Sequence, residues 1–132
     1  MKILTKSIRS IPILLLLSCS NRIEKKLVNT ELDIWHVIQH GSVRRDSSLR
    51  YYRFNKNNSY DEIYFFDNKF KIISSNPDVK NYHKWAIVND SLITISFLDY
   101  KILLLNDSLV NFVSIKRPTD SLFLKKVPFA RF

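Results

Sequence analysis

Few residues of this 132-residue chain are equipped for chemistry, and their spacing restricts what they can do. The one cysteine, Cys19, allows neither a disulfide nor a thiolate metal site within the chain. The histidines are His36, His40 and His83. His36 and His40 are four apart, which on a strand puts both on one face about two pleats apart. With a distant third they make a poor metal signature. Asp61 and Glu62 are neighbours, so on a strand they face opposite sides and cannot serve one substrate as an acid–base pair. No Gly-x-Ser-x-Gly elbow, phosphate loop or Cys–His pair occurs. The chain is expected to be non-catalytic, without metal or cofactor.

The formal charge is +9. Arg44, Arg45, Arg50 and Arg53 are interleaved with Tyr51, Tyr52 and Phe54. Such interleaving suits a single-stranded nucleic-acid platform. The simpler reading is a solvated outer face whose charges discourage edge pairing, so no nucleic-acid partner is expected.

The elements that position these residues begin after a leader. Lys2, Lys6 and Arg9, with no acid, precede Ile11-Pro12-Ile13-Leu14-Leu15-Leu16-Leu17 and then Ser18-Cys19. This reads as a secretory signal over residues 1–18, since the apolar run is far short of the ~20 residues a membrane-spanning helix needs. Its removal leaves 132 − 18 = 114 residues with a formal charge of 9 − 3 = +6, enough for one domain. Residues 19–31, with Arg22, Lys25 and Lys26, read as a polar tether. Each basic residue there would add about 1 kcal/mol beside anionic headgroups.

Residues 32–132 read as one β-domain. Strands are predicted at Ile34–His40, Leu49–Phe54, Tyr60–Phe66, Lys69–Ser74, His83–Val88, Leu92–Leu98, Tyr100–Leu105, Leu109–Lys116 and Ser121–Val127. The break at Leu98-Asp99-Tyr100 is the weakest, so Leu92–Leu105 also reads as one bent strand. No window repeats apolar residues at helical spacing. With Gly41 the only glycine, asparagine and aspartate must supply the turns. Asn89-Asp90-Ser91-Leu92 recurs as Asn106-Asp107-Ser108-Leu109 and is echoed by Thr119-Asp120-Ser121-Leu122, predicting three similar turns. Short turns between successive strands favour an antiparallel meander. Closing it into an up-and-down barrel of eight or nine strands removes the edges, with a β-sandwich as the alternative. Trp35, Phe54, Phe65, Trp85, Ile95 and Phe97 are the candidates to line an interior cavity, although tryptophans more often anchor a core.

Two resemblances add to this reading. Leu16-Leu17-Ser18-Cys19 resembles the lipobox of bacterial lipoproteins, which implies cleavage before Cys19, acylation of its thiol and anchorage in a membrane lipid layer. Ser20, where an aspartate would imply retention, leans the address toward the outer membrane. The region from residue 32 to 127 resembles a lipocalin-like domain of small bacterial lipoproteins. The likeness rests on Trp35 in the first strand, the Tyr52-x-Phe54-Asn55 to Tyr60 hairpin, Trp85 ahead of Asn89-Asp90-Ser91-Leu92, and the closing Leu122-Phe123-Leu124-Lys125-Lys126. Asp33 stands where lipocalins proper carry glycine. The resemblance implies a barrel that binds a small apolar ligand. The alternative function is an inhibitor, immunity or envelope-assembly protein that acts on a protein partner through its outer surface.

Overall fold

A computed structural model describes residues 22–73 and 83–129. Residues 1–21, which hold the expected signal segment and Cys19, residues 74–82 and the final three residues lie outside these. Nine strands follow in chain order: β1 Asp33–Gly41, β2 Arg50–Phe54, β3 Tyr60–Phe66, β4 Lys69–Ile73, β5 Trp85–Ile87, β6 Leu92–Ile95, β7 Leu98–Leu105, β8 Leu109–Ser114 and β9 Ser121–Pro128. Alternation explains most of them. Val110, Phe112 and Ser114 on β8, Ile93 and Ile95 on β6, and Leu122 and Leu124 on β9 are buried, with less buried residues between them.

All nine strands form one antiparallel sheet in the order β4-β3-β2-β1-β9-β8-β7-β6-β5. The sandwich alternative, with two stacked sheets, is thereby corrected. The first and last strands pair at its centre, from Asp33 opposite Pro128 to Gly41 opposite Ser121. The sheet curls into a half-barrel. The start of β3 meets the segment before β5 where Ser59 bridges Lys84, with Tyr60 N donating to His83 O at 2.9 Å. Trp85 rivets this seam: its backbone N–H donates to Asn58 O, and its indole N–H reaches Asn55 O and Ser59 O.

Asparagine and aspartate do supply the turns. Asp67 and Asn68 both have positive φ, 53° and 58°, in the two-residue hairpin between β3 and β4, the pattern of a type I′ turn. Asn89 and Asn106 each accept the backbone N–H two residues on, from Ser91 and Ser108. The third echo differs: its turn is closed by Asp120 N donating to Arg117 O.

Three features depart from expectation. The β6–β7 turn falls at Ser96-Phe97, two residues before the predicted break, with Ile95 opposite Leu98. Ser96 takes a φ of 55° there, held by its N–H to Lys84 O and by Tyr60 Oη at 2.6 Å. Residues 22–27 form a short helix, α1, where the tether was expected. Ile23 and Leu27, four apart and so on one face, are buried, Leu27 completely. The Leu27 carbonyl accepts the Trp35 indole N–H at 2.9 Å. Finally, β1 bulges at Ile38, between the pairs Val37–Leu124 and Gln39–Phe123.

Two apolar clusters lie on opposite faces of the sheet. The interior one includes Leu27, Trp35, Phe54, Trp85, Phe112 and Leu124. The outer one joins Ile34, Tyr51 and Ile63 to Phe65, Phe70 and Phe129. Phe129, just after β9, therefore packs on the outer face, 5.6 Å from the Phe70 ring.

Candidate functional site at the mouth of the barrel

The alternation that buries Tyr52 and Phe54 also carries Arg50, two residues earlier, to the barrel interior. Across the ladder Arg50 lies opposite Tyr64, and Tyr52 opposite Glu62. Arg50 Nη2 donates to Glu62 Oε1 at 3.0 Å and to Tyr52 Oη at 2.8 Å, and Tyr64 Oη donates to Glu62 Oε2. His83, wholly buried, brings Nε2 to 3.6 Å from Glu62 Oε1. Burial opposes the Arg50 charge, but Tyr52, Glu62 and Tyr64 outweigh it and hold the arginine pKa above its ordinary value. Burial also drives the neighbouring phenols up: Tyr52 well above the usual range, Tyr60 to about 12 against its hydrogen bond with Ser96, and Tyr100 upward.

The bulge decides where the histidines go. His36 stays outside, its ring 4.9 Å from that of Tyr51 and its Nε2 at 2.6 Å from Ser48 O. Past Ile38 the alternation resets. His40 then pairs with the inward Leu122 and accepts Arg50 Nη1 at Nδ1, 3.2 Å away. The expectation that both histidines share a face is thus overturned by one extra residue. Burial, then the Arg50 charge, lowers the His40 pKa, although Glu62 and Asp120 pull it upward. Neutral His40 accepts at Nδ1 and carries its proton on Nε2.

Around His40 the barrel is open. A cleft of about 680 Å³ lies between the end of β1, the loop from Ser42 to Leu49 and the β8–β9 loop. Arg45, Arg50, Arg117 and Asp120 supply its charge, His40 an imidazole, and Val37, Val43, Leu49 and Tyr64 its apolar walls. A second space of about 300 Å³ continues past His40 to Tyr100, Lys116 and Ser121. A third, of about 190 Å³, reaches inward to Tyr52, Tyr60 and Glu62.

Both loops are fixed. Arg45 N donates to Ile38 O at 2.6 Å. Arg44 pairs with Asp46 at 2.8 Å and sits over the Phe123 ring. Arg117 N donates to Ser114 Oγ. The opposite end is covered by α1, whose Leu27 joins the interior cluster against which Ile102 and Leu105 of β7 also pack.

Of the proposed cavity residues, Trp35, Phe54, Trp85 and Ile95 do meet in the interior, but as packed core. Phe65 belongs to the outer cluster, and Phe97 is 63% exposed at the β6–β7 turn, on the edge of the innermost space. Cys19 lies outside the described residues. The basic cluster also divides. Arg53 pairs outside with Asp61 at 3.2 Å, whereas Arg50 points inward to Glu62, so the two adjacent acids do face opposite sides. The solvated-face expectation fails for Arg50 because period-two alternation from Phe54 takes it inside. Among the described residues no three His, Cys, Asp or Glu side chains are grouped to hold a metal ion, and no helix is long and apolar enough to cross a membrane. No family model, curated protein or solved structure matches the chain.

Proposed function

We propose that this chain is a lipid-anchored lipoprotein of the cell envelope, held by acylated Cys19, whose lipocalin-like barrel binds a small molecule without catalysis. The anchor reading rests on Lys2, Lys6 and Arg9, the apolar run and Leu16-Leu17-Ser18-Cys19. The observation that carries the binding reading is the cleft of about 680 Å³ around His40, within the range of small-molecule sites. An apolar ligand deep in the barrel is disfavoured, since Trp35, Phe54 and Phe112 fill that half and are fully buried. The binding end is therefore the mouth, with apolar walls and a polar floor. Native mass spectrometry of protein purified from its host membrane in mild detergent tests both parts. The expected result is an N-terminal peptide beginning at acylated Cys19 and a co-purifying small molecule lost on Leu49→Glu. An unmodified Cys19 overturns the anchor. A bare domain whose mouth nothing in an envelope extract perturbs overturns the binding.

A second reading has its own support. Val43, Leu49 and Ile115 are exposed beside Arg44, Arg45 and Lys116 at the same rim, the mixture of apolar and basic groups that suits a protein interface. An inhibitor, immunity or assembly role predicts that an envelope pull-down recovers a protein partner. A charge-reversed Arg44→Glu/Arg45→Glu control that recovers the same proteins would sink it.

A further inference from the structure

Resting on the reading of the mouth as the binding end, we propose that its cleft recognises an anionic group, a phosphate ester or a carboxylate, borne on an apolar or aromatic body. The five arginines of the described β-domain fall into two kinds. Arg44, Arg50 and Arg53 are matched by Asp46, Glu62 and Asp61. Arg45 and Arg117 are exposed and form no ion pair among the described residues, yet both line the cleft. They enter it from different loops: Arg45 N donates to Ile38 O, while Arg117 N donates to Ser114 Oγ and Arg117 O accepts Asp120 N. Two guanidinium groups on fixed stems can converge on one anion at the cost of ordering only their side chains.

His40 lines the same cleft. Its Nδ1 is engaged by Arg50, which leaves Nε2–H as a donor. Lys116 adds charge in the adjoining space. Asp120 is the one carboxylate of the cleft lining and offsets only part of this. Val37, Ile38, Val43, Leu49 and Tyr64 line the remainder of the same cleft. That surface has no use for a bare inorganic ion, and it fits a ligand with a body.

The test is an NMR titration of the full chain, purified in detergent, with phenyl phosphate at constant ionic strength. Phenol serves as the neutral control, and phosphatidylglycerol vesicles as the lipid arm. Shifts are expected for residues 40–50 and 114–121. Arg45→Gln and Arg117→Gln should each weaken binding about tenfold, the equivalent of one charge-assisted hydrogen bond. Lys69→Gln, on β4, should leave it unchanged. Binding of the free ester assigns the anion to a soluble molecule; binding of the vesicles alone assigns it to a lipid headgroup. Phenol binding equally well, or both glutamine variants retaining full affinity, overturns the anionic class. If a neutral molecule from envelope extract then shifts the same residues, the mouth still stands as the binding end. If nothing shifts them, both readings fall.

Discussion

Replacing Leu27 by alanine separates a helix that belongs to the domain from a tether that does not. Leu27 is wholly buried in the interior cluster, and its carbonyl accepts the Trp35 indole N–H at 2.9 Å. Leucine-to-alanine changes at such sites cost about 2–5 kcal/mol, set by how far the cavity collapses. Here α1 is under two turns long and can shift, which argues for the lower half. The expected loss is about 3 kcal/mol, a fall in Tm of roughly 10–20 °C for a domain of this size. Against a total of about 5–15 kcal/mol, that is a large fraction. Urea unfolding followed by tryptophan fluorescence suits the question, because Trp35 and Trp85 are both buried and Trp35 touches the mutated segment. The midpoint should fall with little change in slope. Lys25→Ala, on the exposed side of α1, should cost less than about 0.5 kcal/mol. If Leu27→Ala and Lys25→Ala have the same midpoint, α1 is not part of the folding unit.

A double-mutant cycle on the interior pair should show coupling. Arg50→Leu and Glu62→Leu each cost about 2–3 kcal/mol, somewhat below a fully buried pair because Arg50 is partly exposed. The double variant should cost less than their sum by about 1–2 kcal/mol in urea unfolding, and simple additivity would show that the groups do not depend on each other. Stability should also fall in alkali. Burial raises Tyr52, Tyr60 and Tyr100, with Tyr60 at about 12, so the folded state keeps protons the unfolded chain releases near pH 10. Their contribution is complete below pH 10 and is lost as pH rises toward 12. Phenolate absorbance should therefore rise together with unfolding, and a smooth titration at pH 10 with the fold intact would refute the burial. Asn68→Val forces a β-branched side chain to φ 58° and should cost about 1–2 kcal/mol, whereas Asn68→Gly should be neutral or stabilising, read by thermal melts.

The strands were legible because their chemistry is local. Tyr60–Phe66 is predicted to the residue, and eight others differ at their ends by a few positions. Asp67 and Asn68 tolerate positive φ without glycine, and the Asn-Asp-Ser-Leu repeats mark turns closed by the asparagine side chain. What escaped is what alternation cannot carry. One bulge at Ile38 sends His40 to the opposite face from His36. Helix α1 spans six residues, too few for a helical period to emerge, and only Ile23 and Leu27 hint at it. Phe65, expected to line the interior, instead joins Phe70 on the outer face, since a second cluster packs there. The interior position of Arg50 was within reach, by counting back in twos from Phe54 through Tyr52. Its partner Glu62 follows by the same count from Tyr60.

The pairing of β1 with β9 along its whole length governs how the domain is made. The strand at the centre of the finished sheet starts as an edge. As the chain lengthens from its N-terminus, β2 can cover one side of β1, but the other stays bare until residues 121–128 exist. Closing that ladder spans nearly the entire domain, so its entropy must be met late and by non-local contacts, which slows folding. Until then β1 offers unpaired backbone groups between Trp35 and Gly41 to any other extended segment. A truncation that removes β9 would thus leave the most central strand of this protein as its most adhesive one.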